Sequence, residues 1–420
     1  MSRKFSRREV LLSGIGAAGL AVAQGVAPLA AADLRWLPPG VADRSALAPA
    51  APVAIQKCPS YEPQLLRDRL DTALNLIGGI KKLVAGKTVT IKINVTGGPA
   101  PMAGMPGFRT YQVHPNMLAA LCASLRDAGA RRIVVVESQY STLSPEEVLA
   151  GGGWDVAQIK SAGGQQVIFE DTRNRGRWPR YARLRVPWGG YLFPAFDVNS
   201  RYANTDVFVS LAKLKDHLSA GVTLSVKNLF GILPASLYAN DAPNEGTTSN
   251  REQILHDGVR PVPAGVPAAI AQQAPAHWKQ RVPRVTADVL GARPVDLAIV
   301  DGIETSRGGE GPWSATAQPL KPGLLLVGRN PVCTDAVGTA VMGYDPQAGH
   351  GQFPFPGENH LLLLAAVGVG AIDIKRIEVA GVPLQQALFP FNPQKRKLAD
   401  PTAMFHGRAR SLPAGFEGMC

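Results

Sequence analysis

A chain of 420 residues, 45% apolar and 18% charged, holds enough apolar side chains for one large core or two ordinary ones, which excludes a disordered chain. Its 44 Lys and Arg against 32 Asp and Glu leave a formal charge of +12, an excess that favours anionic partners. No nucleic-acid-binding module is visible, and none of the four cysteines (Cys58, Cys122, Cys333, Cys420) stands in a C-x-x-C pair, so the pattern supports neither a zinc knuckle nor an iron–sulfur cluster.

The first element is an address label. An uncharged run from Val10 to Ala32 is long enough to cross a bilayer, yet Gly14, Gly16, Gly19, Gly25, Ser13 and Gln24 keep it only mildly apolar. A basic head, such a run and the small residues Ala30-Ala31-Ala32 make the tripartite pattern of a cleaved export signal. Ser6-Arg7-Arg8-Glu9-Val10-Leu11-Leu12 resembles the twin-arginine motif, with Val10 where Phe is commonest. The expectation is a signal over 1–32 that engages the twin-arginine translocase and delivers folded protein to a bacterial periplasm. No stable membrane anchor is then expected after cleavage. A general secretory signal and a retained anchor are the alternatives. Cleavage after Ala32 leaves an excess of nine positive charges.

Residues 33–56, rich in Ala, Pro and Leu, read as a tether, and 57–390 as a single domain followed by a tail over 391–420. Leu65, Leu66, Leu70, Leu74 and Ile77 space a helix over 63–77. The alternating, β-branched stretch 87–95 predicts a strand. Pro115 opens a helix that Gly129 stops, and 132–137 is a buried strand. Further strands are predicted at 166–169, 206–211, 295–300, 323–327 and 376–379. Asn330-Pro331 caps a helix ending near Gly343, and 360–367 is helical. Strands alternating with helices predict a layered α/β fold with a mainly parallel central sheet flanked by helices. Two segments break the rhythm. Residues 172–200, with Trp178, Tyr181 and Trp188 among arginines, predict a solvated hairpin excursion. Residues 238–284, rich in Pro and Ala, predict a long loop insertion.

Ligands gather at the carboxyl ends of strands in such sheets. There the sequence places Lys92 and Asn94, then Lys213, Lys215, Asp216 and His217, then Lys227 and Asn228. The lysines, the asparagines and His217 among them suit a small carboxylate or phosphate. The glycine-rich turn around Gly309 and Gly311 offers backbone N–H groups to the same anion, without the spacing of a phosphate loop. Asp301, Glu310 and Asp335 offer oxygens to a divalent metal, with His217 as a nitrogen donor. A Lys inside an apolar stretch, as Lys227 is, needs a partner, and burial among cations lowers its pKa; His217 or Lys227 is the expected proton carrier. Cys122 and Cys333 read as buried thiols, and Cys58 and Cys420 are free to pair in an oxidising compartment.

"VTIKINV", "HPNMLAALCASLRDAGARRIVVVES", "SLAKLKDHLSAGVTLSVKNLFGILP", "VDLAIVDGIETSRGGEGP" and "LLLVGRNPVCTDAVGTAVMGYDP" follow one another as in the domain of unknown function 362 family, which the chain resembles over roughly 50–385. The resemblance implies a shared pocket. It sets Lys92 and Asn94 on the first motif, Lys213, Lys215 and His217 on a Lys-x-Lys-x-His motif with Asp216 where Thr is usual, and Lys227, Asn228 and Gly231 on a Lys-Asn-x-x-Gly motif. Asp301, Gly302, Gly311, Pro312 and Asp335 fall on the last two. Many members look like redox proteins with ferredoxin-type cysteine clusters, which this chain does not share. Two functions stay open: an enzyme acting on a small anion, or a non-catalytic accessory protein that holds a cofactor, metal or ligand, linked to redox or iron–sulfur systems.

Overall fold

The computed structural model describes residues 37–96, 98, 100–138, 143–172, 180–239, 251–271 and 274–392. The expected export signal over 1–32, the first residues of the expected tether, 173–179 with Trp178, 240–250, and the expected tail from 393 with Cys420 lie outside the described residues.

The first strand is a correction. Val53–Lys57 (β1), placed by sequence in the tether, is buried in four of its five positions. It pairs with two neighbours in the central sheet. Its five residues sit between Pro/Ala-rich flanks, so their alternation is too short to stand out. Pro63–Leu76 (α1) follows, with Glu62 accepting from Gln64 N and Leu65 N at its start. Thr88–Ile93 (β2) is buried throughout, as a strand covered on both faces must be. Pro115–Asp127 (α2), Arg132–Glu137 (β3) and Val167–Asp171 (β4) come next, with two short helices, Pro145–Gly151 and Val156–Gly163, before β4. Tyr181–Arg185 (β5) and Ala195–Asn199 (β6) form an antiparallel hairpin. Val207–Lys213 (β7), Leu224–Lys227 (α3), Trp278–Ala292 (α4), Leu297–Gly302 (β8), Leu324–Gly328 (β9), Pro331–Val341 (α5), His360–Ala366 (α6) and Val379–Gly381 (β10) complete the elements used below.

The central sheet has eight strands in the order β10-β1-β9-β8-β7-β2-β3-β4. Every pairing is parallel except those of β9 with β1 and β8. The fold is thus α/β with a mostly parallel sheet. Alternate residues feed two cores. Val89, Ile91, Ile133, Val135, Val209 and Ile299 pack on the side of α1 and α2. Val134, Val136, Phe208, Ala298 and Val300 face α4, α5, α6 and the hairpin. From β2 the chain steps to β3 and β4 on one side, then returns to β7 and β8 on the other. The order therefore reverses between β2 and β7, and a crevice opens at their carboxyl ends.

The hairpin is no solvated excursion. Leu184, Val186, Tyr191, Leu192, Phe193, Phe196 and Val198 are buried in the second core. Asp288 on α4, fully buried, accepts from Tyr191 N, Leu192 N, Phe193 N and Trp188 Nε1 and ties the hairpin loop down. The expected loop insertion is likewise structured where described. Glu252–His256 is a buried π-turn, and α4 begins inside the segment despite Pro283. The expected tail boundary at 391 is at least one residue early, because Phe391 is buried and its N–H donates to Met342 O. Cys58, Cys122 and Cys333 are all buried free thiols.

Candidate functional site

At the reversal between β2 and β7 lies a pocket of about 680 Å³, part of it open to solvent. Of the residues expected from sequence it brings together Lys92, Asn94, Lys215, His217, Lys227, Asn228 and Glu310. It also exposes Glu137, Ser138, Thr223, Phe230, Arg251 and Trp313, which sequence reasoning did not single out. Glu137-Ser138 ends β3, so the carboxyl-end rule, applied to every strand, finds them. Arg251 lies in the insertion, where no sequence signal marks it.

Lys92 and Asn228 form the frame of the pocket. The Lys92 ammonium meets Glu137 Oε1 at 2.7 Å, Ile93 O at 2.7 Å and Asn228 Oδ1 at 3.4 Å, which uses all three of its donors. Burial lowers its pKa, and Glu137 opposes that shift. Glu137 also accepts from Val95 N and Ser138 N. Asn228 Nδ2 donates to Lys92 O, Ser210 Oγ and Leu211 O. Lys92 and Asn228, expected to bind substrate, are saturated by protein groups. Gly231 closes the frame: a Cβ there would stand 3.0 Å from Lys92 Nζ. Gly231→Ala is expected to cost about 1–3 kcal/mol, read as a lower urea midpoint at unchanged slope.

Lys215, His217 and Lys227 line the same pocket. Lys215 is 1% exposed and donates to Tyr111 O at 2.7 Å and Glu310 O at 2.9 Å. Burial lowers its pKa to about 7; Glu310 resists the shift, and the Lys213 and Lys227 ammoniums add to it. Burial, with Lys227 and Lys215, holds His217 well below the usual imidazole range, so the ring is neutral. Its Nδ1 accepts from Ser219 N and Ala220 N, which puts the remaining proton on Nε2. The 3.8 Å approach of Nδ1 to Glu310 Oε2 is therefore no ion pair. Lys227 stands 3.9 Å over the Phe230 ring, a cation–π contact in a dry wall.

The chain holds Lys227 in place by an unusual route. Leu224 adopts φ of +43°, a left-handed conformation that costs a β-carbon-bearing residue about 1–3 kcal/mol. The turn starts α3, whose exposed N–H groups Asp335 caps: its carboxylate accepts from Ser225 N at 2.9 Å, Ser225 Oγ and Val226 N at 2.7 Å. Burial pushes this carboxyl up to about 7 against those donors.

The expected metal set does not assemble. Asp335 is the buried cap just described. Asp301 pairs with Lys213 at 3.0 Å and accepts from Tyr61 OH at 2.7 Å and His114 N at 3.0 Å. Glu310 alone reaches the pocket, and its carboxylate accepts from Leu218 N and Trp313 Nε1. Among the described residues no three His, Cys, Asp or Glu side chains are placed to hold a metal ion. Lys213 leaves the expected anion set for the same reason: Asp301, Tyr61 OH and Phe108 O take its donors. The glycine turn is also occupied from within. Asp216 accepts from Gly308 N and Gly309 N, while a side chain at Gly311 would strike the Trp313 ring. Gly309 and Gly311 thus shape the wall that carries Glu310 and Trp313.

Comparison with known proteins adds the lineage. A thylakoid-associated protein of Synechocystis sp. is 24% identical over 304 residues, which is 70% of this chain and 75% of that one. A structural-genomics crystal structure from Thermotoga maritima aligns with a TM-score of 0.34 at 11% identity, over 63% of this chain and 55% of that one. The lactate racemase apoprotein of Thermoanaerobacterium thermosaccharolyticum aligns with a TM-score of 0.31 at 14% identity, over 64% and 54%. This chain thus spans little more than half the length of either solved structure. The model of the domain of unknown function DUF362 matches residues 89–340, more than half of the chain, and the protein belongs to that family.

Proposed function

We propose that the pocket binds a small carboxylate or phosphate and moves a proton on it, with Lys215 as the proton carrier and Lys227 and His217 as donors to the anion. One observation carries this reading: among the described residues, Lys215, Lys227, Arg251 and His217 border one cavity in which the carboxylates of Glu137 and Glu310 are already engaged by protein donors. The surplus of cations favours a negative guest. Lys215 fits its role by count. A neutral amine keeps two N–H groups, which its two carbonyl partners take, and presents a lone pair; the charged form presents a third N–H. A pKa near 7 suits transfer in either direction. His217, neutral with its proton on Nε2, is better placed to donate a hydrogen bond than to accept a proton. The amino-terminal pattern supports the periplasm as the place of work, reached through the twin-arginine route.

The test is titration of the full domain with inorganic phosphate and with acetate, followed by calorimetry. Lys227→Ala is expected to weaken the bound anion about 10–100-fold, the worth of one charge-assisted hydrogen bond. Unchanged affinity in that variant would remove the pocket from consideration.

A further inference from the structure

The pocket holds one group that an anion alone does not satisfy. Asn94 is 7% exposed, and its Oδ1 has no hydrogen-bond partner among the described residues, although it borders the cavity. Its orientation is not free. Asn94 Nδ2 donates to Asn228 Oδ1 at 3.0 Å. Asn228 is itself locked, since its Nδ2 faces Lys92 O, Ser210 Oγ and Leu211 O and its Oδ1 faces the Lys92 ammonium. Turning the Asn94 amide over would set two carbonyl oxygens against each other. The Lys92–Asn228 frame therefore fixes Asn94 Oδ1 as an acceptor in a pocket otherwise dominated by donors. Ser138 Oγ and Thr223 Oγ1, also buried, bordering the pocket and without partners among the described residues, rotate to donate or accept and impose no such choice.

We infer that the natural ligand carries a hydroxyl group beside its anionic group, and that Asn94 Oδ1 accepts from it. The inference rests on the anion-binding reading above. An orphaned buried acceptor costs about 1–3 kcal/mol, so a guest lacking the hydroxyl leaves that cost standing. A site built to bond a hydroxyl rejects the analogue without it for this reason. An ammonium in its place would meet Lys215, Lys227 and Arg251 in the same pocket, and like charges there oppose it.

The experiment compares matched probes on the intact domain: acetate, glycolate and glycine, and ethyl phosphate, 2-hydroxyethyl phosphate and phosphoethanolamine. In at least one series the hydroxylated member is expected to bind tenfold or more tighter than its unsubstituted partner, and tighter than the amine. Asn94→Leu is expected to erase that preference while leaving affinity for the plain anion within about threefold. Equal binding of acetate and glycolate together with equal binding of the two phosphates overturns the inference and leaves the anion reading intact. A tighter amine overturns it as well. Binding of none of the six overturns both. The wild-type comparison stands by itself if the variant fails to fold.

Discussion

Glu137→Ala is expected to lower the free energy of unfolding by about 3–5 kcal/mol, the usual cost of leaving one member of a buried ion pair alone. Lys92 is 2% exposed and Glu137 9%, so the variant leaves a buried ammonium without its counter-ion. The loss spreads beyond the pair. Val95 N and Ser138 N lose their acceptor, and Lys92 is the group that orients Asn228 and, through it, Asn94. Lys92→Met is expected to cost a comparable amount. The double variant Lys92→Met/Glu137→Leu is expected to recover much of the stability, because both buried charges go together. It is not expected to recover the preference for a hydroxylated anion, since the amide frame that orients Asn94 has lost its anchor. Urea unfolding of the four proteins gives the coupling energy directly. A Glu137→Ala variant within about 1 kcal/mol of the parent would mean that the pair is not the frame of the pocket.

How much of this was written in the sequence depends on which physical signal a residue needed. The strands of the sheet announce themselves because both faces are covered: Arg132–Glu137 and Val207–Lys213 are apolar runs with charged residues only at their ends and Ser210 as the one polar residue inside. Proline and cap chemistry marked the helix starts at Pro115 and Pro331, and apolar spacing marked the one at Pro63. β1 was missed because five residues are too few to show a period, and α4 because Pro283 and its Pro/Ala-rich approach imitate a loop. At the site, residue type and strand-end position were enough to gather Lys92, Asn94, Lys215, His217, Lys227 and Asn228. They did not say which of these face the guest. That depends on donors counted one by one. Lys92 and Lys213 spend theirs on protein groups, whereas Lys215 gives two to carbonyls and keeps one position for a guest. The carboxylates failed as a metal set for a similar reason. Asp301 and Asp335 lie at strand and helix ends, but each answers a local need, one a buried lysine and the other a bare helix start. Nothing in a linear pattern separates those duties from metal binding.

Lys215 gives the clearest dependence on pH. Its pKa falls from an ordinary lysine value to about 7 in the folded protein, chiefly through burial. Between pH 7 and about 10.4 the unfolded chain therefore holds one proton more at this position than the folded chain does. Stability rises with pH wherever the unfolded state binds more protons. The destabilising contribution of Lys215 is thus complete below pH 7 and is relieved as the pH climbs through that window. Its full size is about 5 kcal/mol, and about 2 kcal/mol of it falls between pH 7 and pH 9. Other groups titrate in the same range, so the measurement is a difference: urea unfolding of the parent and of Lys215→Met at pH 6.5, 7.5, 8.5 and 9.5. The parent is expected to gain on the variant at each step above pH 7. Parallel curves would place the ammonium in the charged state throughout and would take the proton carrier out of the proposed reaction. Binding offers a second readout. An anion beside Lys215 stabilises its charged form, so binding at pH 8 draws a proton from solution. Calorimetry with phosphate in two buffers of different ionisation enthalpy is expected to show that uptake in the parent and to lose it in Lys215→Met.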